Sequence, residues 1–184
     1  MTGAPGPVAI PADELAGRVG DLAALLDRRH ASGLVLLPVL PEAAPLTADL
    51  LARLTVPVAV EGIRVTTFGD GGGRARLERA GAVPVLGRDV VIVSTIVDTG
   101  LRLRVAARAL LAERPASVAV LALLDRPDRR IADIPLEYVG FTVPDCRFAG
   151  YGLGREPELT TLRDLHYRDL ASAERARRGH LEIA

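Results

Sequence analysis

Aliphatic runs alternate along this chain with stretches in which apolar residues recur every three or four positions. The first pattern predicts buried strands and the second amphipathic helices. Residues 13–30 read as a helix, with Leu15, Val19, Leu22, Leu25 and Leu26 on one face and Asp13 placed to cap its start. "GLVLLPVL" (33–40) reads as a buried strand, and "LTADLLARL" (46–54) as a second helix with Thr47 near its start. Residues 56–68 suggest one or two extended segments. The glycines that open 69–87 predict a mobile loop, followed by an edge hairpin. "DVVIVSTIV" (89–97) reads as the central strand, 100–114 as a helix, and 117–125 and 137–144 as further strands. Beyond Tyr151 the pattern turns polar, and a short exposed helix is expected over 172–182.

Continuous apolar strands alternating with amphipathic helices predict an α/β fold, with a mostly parallel sheet covered by helices on both faces. Ligands of such sheets bind beyond the carboxyl ends of the strands, which directs attention to the loop after Val97. The 184 residues suit one domain. Aromatic residues make up only 3%, so the core must be aliphatic.

The net charge is zero, which gives no overall attraction to nucleic acid or anionic lipid. Every basic residue is arginine, so no role that needs a lysine ammonium is open to this chain. The single cysteine, Cys146, rules out a disulfide within the chain and reads as an incidental thiol. The first residues lack the basic start and apolar centre of a signal peptide. The most apolar region, 34–60, is broken by prolines and charges, against a membrane span. A cytoplasmic protein is expected. His30, His166 and His180 show no metal spacing and read as surface residues. The arginines at 126, 129 and 130 suit an anion site or a solvated turn.

Asp98-Thr99-Gly100 stands where a strand turns into a helix. Free backbone N–H groups and the helix dipole attract phosphate at such a place, Gly100 permits close approach, and Thr99 offers a hydroxyl. Asp98 suits proton transfer or contact with a cationic atom. The triplet alone is a weak signal: it also occurs in aspartic proteases, and by itself it reads first as a simple helix cap. The complete strand before it and the arginine-bearing helix after it favour phosphate.

With "GIRVTTFGDG" (62–71), "VVIVSTIVDTGLRL" (90–103), "SVAVLALLDRPDRR" (117–130) and "YVGFTVPD…GYGL" (138–153) in this order, the chain resembles the hypoxanthine-guanine phosphoribosyltransferase family from about Ile10 to Tyr167. Residues 168–184 form a tail outside the resemblance. It implies a type I phosphoribosyltransferase fold with a small hood region. It also implies attack of a purine on phosphoribosyl pyrophosphate, with Mg²⁺ if the protein is active; no other cofactor is implied, and no residue of this chain is assigned as a metal ligand. Asp98 matches the family's proton-handling acid at the purine N7. Asp98 also opens the family's phosphate loop, which continues through Thr99, Gly100, Leu101 and Arg102.

Other positions depart from the family pattern. Ser94 and Thr95 stand where the family carries two acids at the ribose. Leu40 and Pro41 occupy its pyrophosphate loop, with Pro41 in place of a lysine, Glu42 beside it, and a cis bond open to Pro41. Arg126 matches the purine-contacting lysine. The stacking aromatic falls on Arg147 in the ungapped register and on Phe148 with a small shift. The metal-contacting acid matches Gly154. The late arginine matches Thr160 without a gap and Arg163 after a short insertion, with Arg163 preferred. Thr67-Phe68 replace the Ser-Tyr of the family's mobile loop.

The expectation is a diverged member that binds a nucleoside monophosphate or another phosphoribosyl compound, with ordinary salvage activity weak or lost. One alternative is an active Mg²⁺-dependent purine phosphoribosyltransferase. The other is a non-catalytic partner subunit of an active homologue. The resemblance also implies a homodimer or homotetramer.

Overall fold

The residues of "DVVIVSTIV" alternate between two apolar environments, which is why this segment is a strand with no solvent face. Val91 and Val93 pack into one core, and Val90 and Ile92 into another. Neighbouring strands repeat the pattern: Leu34 and Leu36 face the first core, Val35 and Leu37 the second. A period-two backbone with aliphatic side chains on both sides must be covered on both sides.

The computed structural model describes residues 5–68, 74–176 and 182–183. The chain runs β1 (Val8–Ile10), α1 (Ala12–Arg29), β2 (Leu34–Pro38), α2 (Ala44–Leu51), β3 (Val58–Val60), β4 (Ile63–Phe68) and β5 (Arg74–Arg79). It continues through β6 (Asp89–Val97), α3 (Leu101–Leu111), β7 (Ser117–Asp125), a 3₁₀ turn (Pro127–Arg129) and β8 (Leu136–Thr142). The last elements are β9 (Phe148–Ala149), α4 (Pro157–Thr160), β10 (Leu165–Tyr167), α5 (Leu170–Ala176) and β11 (Glu182–Ile183).

The main sheet has the order β11-β8-β7-β6-β2-β3, parallel except for β11. Helices α1 and α2 cover one face, where Leu15, Val19, Leu22, Leu46 and Leu50 join the first core. On the other face α3 contributes Leu103, Ala106, Ala107 and Leu110 to the second. The fold is therefore the α/β architecture of parallel strands between helical layers. A separate antiparallel sheet, β1-β10-β9, joins the start of the chain to its later part. Among the described residues no helix is long and apolar enough to cross a membrane.

Several local expectations need correction. Asp13 does not cap α1; Pro11 holds the N-cap position, and the carboxylate of Asp164 accepts the Ala12 N–H at 2.7 Å instead. A remote acid thus replaces the local one. The helix after Gly100 ends at Leu111, three residues earlier than the pattern suggested. His30 is not a surface residue: it is buried between Asp89 (3.0 Å from Nδ1) and the Tyr138 hydroxyl (2.9 Å from Nε2). The hairpin is placed differently from expectation: β4, before the glycine run, pairs with β5, after it, with the backbones of Thr67 and Phe68 opposite Ala75 and Arg74. The glycine run 69–73, and with it the mobile-loop expectation, lies outside the described residues, as do 177–181 of the expected terminal helix.

A buried charge ties the hairpin to α3. Glu61, in the turn between β3 and β4, is only 5% exposed. It accepts hydrogen bonds from Arg79 at 2.5 Å and 3.2 Å and from the backbone of Gly81 and Val83 at 2.8 Å and 2.9 Å. Arg79 also reaches Glu113, just past α3, at 2.6 Å. The Arg79 hydrogen bonds hold the Glu61 carboxyl below the usual carboxylate range, against the opposing effect of burial. A carboxyl depressed in the folded state adds stability above its unfolded pKa and loses it as pH falls. Glu61→Gln leaves a partly buried guanidinium short of one of its two carboxylate partners. It is expected to cost about 3 kcal/mol by urea denaturation at pH 7. The gap to the parent protein should narrow as pH falls below about 4.

Candidate functional site

Strand β6 stops where its apolar run stops, and the chain leaves the sheet through Asp98 and Thr99 into Gly100. Gly100 is the N-cap of α3 with φ 78°, a left-handed conformation that glycine adopts without strain. A Cβ there would also lie 3.1 Å from the Ala132 carbonyl oxygen. The Thr99 carbonyl accepts the N–H groups of Ile131 and Ala132 at 3.1 Å and 3.0 Å, which pins the turn to the loop after β7. The first helical bond runs from Arg104 N–H to Gly100 C=O at 2.9 Å, so the N–H groups before it have no acceptor within the helix.

This turn borders a hollow of about 260 Å³, which Ser94, Arg102 and Arg126 also line. The sheet thus brings Asp98, Thr99, Gly100, Arg102, Arg126 and Ser94 together. Leu101 is exposed on the first turn of α3.

The charges here are arranged in pairs. Asp98 Oδ1 accepts a hydrogen bond from Arg129 Nε at 2.6 Å, and an Arg126 terminal nitrogen lies 3.7 Å from the same oxygen. Arg129 also reaches Asp145 at 3.6 Å, and Arg130 pairs with the buried Asp125 at the end of β7. All three arginines of the cluster are therefore engaged with carboxylates rather than left in a solvated turn. Arg126 lies over the Phe148 ring, 5.7 Å from its centroid, a distance that permits cation–π attraction. Burial pushes the Arg126 guanidinium below the usual arginine range, while Asp98 and Asp145 act in the opposite direction.

Ser94 and Thr95 are nearly covered, at 8% and 1% exposure. The Ser94 hydroxyl donates to the Ile96 carbonyl at 2.9 Å. The Thr95 hydroxyl donates to the Glu42 carbonyl at 2.7 Å and so joins β6 to the loop after β2. Each hydroxyl has already given its one proton to the backbone. The Leu40–Pro41 bond in that loop is cis. Leu40 itself faces a different hollow, with Gly62, Arg64 and Arg79.

A second hollow of about 210 Å³ adjoins the first and shares Ser94, Ile96 and Arg102 with it. Its other wall holds Glu42, Thr95 and Arg155. Sequence reading missed Arg155. It falls two residues after the "GYGL" motif, where position alone gives no sign that the loop folds back toward β6. That loop is anchored by the Tyr151 hydroxyl on Asp49 at 2.5 Å, and by the backbone of Tyr151 and Gly152 on Leu162 and Thr160 at 2.8 Å and 3.0 Å. Gly154 has φ 125°, which side-chain-bearing residues rarely adopt.

The two candidates for a stacking side chain are separated by burial. Phe148 is 7% exposed and packs on Tyr167 with centroids 5.6 Å apart. Arg147 is exposed and lines a neighbouring hollow with Phe148, Arg155 and Arg168. Arg163 is exposed and borders neither of the two hollows at the end of β6.

Comparison with known proteins places this geometry. The sequence model of the phosphoribosyl transferase domain matches residues 11–155. The hypoxanthine phosphoribosyltransferase of Salmonella typhimurium is 33% identical over 152 residues, covering 79% of this chain and 85% of that protein. The hypoxanthine-guanine phosphoribosyltransferase of Mycobacterium bovis is 32% identical over 170 residues, covering 87% and 83%. A solved hypoxanthine-guanine phosphoribosyltransferase from Bacillus anthracis, with a HEPES molecule in its active site, superposes with a TM-score of 0.84 at 27% identity. It covers 89% of this chain and 99% of that one. The parallel sheet, the Asp98-Thr99-Gly100 turn at the end of its central strand and these relatives agree: this chain belongs to the hypoxanthine-guanine phosphoribosyltransferase family.

Proposed function

We propose that the cleft at the end of β6 binds a purine nucleoside monophosphate or a related phosphoribosyl compound, and that the family's ordinary transfer reaction is weak or lost here. The observation that carries this reading is a contrast within one strand. The phosphate turn at its end is open to the hollow, while the two positions before it hold hydroxyls spent on backbone carbonyls.

In this reading the N–H groups at the start of α3 and the Thr99 hydroxyl take the 5′-phosphate, and Arg102 adds a charged fork. Arg126 donates to the base, with Phe148 beneath its guanidinium and Arg147 at the rim. Asp98 accepts a hydrogen bond from the base through the oxygen that Arg129 leaves free. Arg163, away from both hollows, has no part in it.

The family's Mg²⁺ is a poor fit to the residues at hand. Magnesium prefers oxygen donors, commonly one or two carboxylates together with substrate phosphates. Of the residues that border the second hollow, Glu42 alone bears a carboxylate, and it faces two arginines across the same space. Among the described residues no group of three or more His, Cys, Asp or Glu side chains is placed to hold a metal. Replacing two acids by hydroxyls also removes negative charge that would favour a developing oxocarbenium ion, and each 1.4 kcal/mol so lost is roughly tenfold in rate.

A specific observation favours a second reading, an active phosphoribosyltransferase. Asp98 borders the same hollow as Arg126 and the phosphate turn, which is where a base and a ribose would meet. In that case Asp98 would handle the proton on the purine, and the substrate itself would carry Mg²⁺.

Calorimetry separates the two. Guanosine or inosine monophosphate is expected to bind equally well with and without Mg²⁺, with no nucleotide formed from phosphoribosyl pyrophosphate and a purine. Steady Mg²⁺-dependent product formation would instead establish the enzyme. Gly100→Ala is expected to cost about 1–2 kcal/mol of stability by urea denaturation, from the left-handed backbone alone. It should also weaken monophosphate binding, because the turn must shift away from Ala132.

A further inference from the structure

We infer that Arg129 is a positioning residue: it fixes the carboxylate of Asp98 and, by engaging that charge, leaves Arg126 free to meet the base. This deepens the nucleotide reading and rests on it for its effect on a ligand. The Asp98 side chain is 44% exposed, so packing does not set its carboxylate. Among the described residues, the one hydrogen bond that this carboxylate accepts comes from Arg129 Nε, at 2.6 Å on Oδ1. Arg126 stands 3.7 Å from the same oxygen, beyond hydrogen-bond reach, and contributes charge alone. The Arg129 bond thus orients the carboxylate and leaves Oδ2 to a ligand donor.

The backbone prepares Arg129 for this task. It ends the 3₁₀ turn Pro127–Arg129, where its N–H meets the Arg126 carbonyl at 3.1 Å and the Arg130 N–H meets the Pro127 carbonyl at 3.1 Å. The Arg126 N–H is bonded in turn to the Val97 carbonyl at 3.1 Å, which sets the turn against the end of β6. A terminal nitrogen of Arg129 lies 3.6 Å from Asp145, in the loop between β8 and β9 that leads to Phe148. One guanidinium therefore links the segments that follow β6, β7 and β8, and with them the acid and the ring beneath Arg126. Arg129 borders neither hollow at the end of β6, so its influence on a ligand passes through the acids it holds. Without it, Arg126 is the cation nearest to Asp98 and is drawn toward that acid, away from the base.

Guanosine monophosphate, titrated calorimetrically into the full chain, gives the first readout. Arg129→Gln should weaken binding about tenfold, the scale of a lost charge-assisted hydrogen bond. The melting temperature should be unchanged, since both partners are half exposed and such pairs add little stability. In an Asp98→Ala background the same substitution should cost nothing further, because Arg129 acts through that carboxylate. Arg129→Lys, which keeps a charged donor, should recover part of the loss. An effect of equal size in both backgrounds, or none in either, would overturn the assignment. The second readout needs no ligand. The Arg129 Nε–H signal in the arginine side-chain NMR spectrum, identified by its loss in Arg129→Gln, should exchange slowly with water and faster in Asp98→Ala. Equal exchange in the two would also overturn the assignment, and this readout decides where Asp98→Ala binds too weakly to titrate. A slowed Nε–H signal in a protein that binds no monophosphate would leave the Asp98 clamp standing and remove the nucleotide reading. Monophosphate binding that ignores Arg129→Gln would do the reverse.

Discussion

A strand buried on both faces has no side chain to spare for chemistry along its length, so whatever it offers a ligand must come at its end. Strand β6 is such a strand. It lies between β2 and β7, with Val91 and Val93 in one core and Val90 and Ile92 in the other. Its parallel neighbours satisfy its backbone, and α1, α2 and α3 cover its faces. The end of the apolar run therefore decides where the chain can turn. Gly100 then decides that the turn is tight enough to start α3 at the border of the hollow.

The same burial explains why Ser94 and Thr95 behave as they do. Near the end of a covered strand, a hydroxyl without a partner would carry a desolvation cost, so each donates to a nearby carbonyl. The Thr95 bond does more than satisfy a donor: it holds the loop after β2 against β6 and helps to set the position of Glu42. An acid pair in these places would present charge to the cleft. The hydroxyl pair presents a wall.

Positive charge in the cleft is carried by arginine, in a chain with no lysine. Around Asp98 the guanidinium groups of Arg126 and Arg129 are matched by Asp98 and Asp145, and Arg130 is matched by Asp125. At the second hollow Arg102 and Arg155 have no carboxylate ion-pair partner among the described residues. The cleft thus has a balanced part around Asp98 and, at the second hollow, a part where two arginines meet one acid. That asymmetry follows from which loops carry acids next to their arginines.

Much of this was legible in the sequence, because period-two and helical patterns depend on burial that neighbours in the chain share. They located β6, β7 and α3, placed the parallel sheet, and directed attention to Asp98, Thr99 and Gly100 as the turn at its end. Motif order alone was enough for the family. Tertiary structure decided what depends on contacts between distant segments. Asp164 rather than Asp13 meets the start of α1, His30 is buried between Asp89 and Tyr138, and Phe148 rather than Arg147 lies beneath Arg126. Arg163 falls outside both hollows, and Arg155, unremarkable in its local sequence, enters one. Local patterns report which face of an element is apolar, whereas hydrogen bonds and charges across a cleft depend on how separate loops fold back on one another.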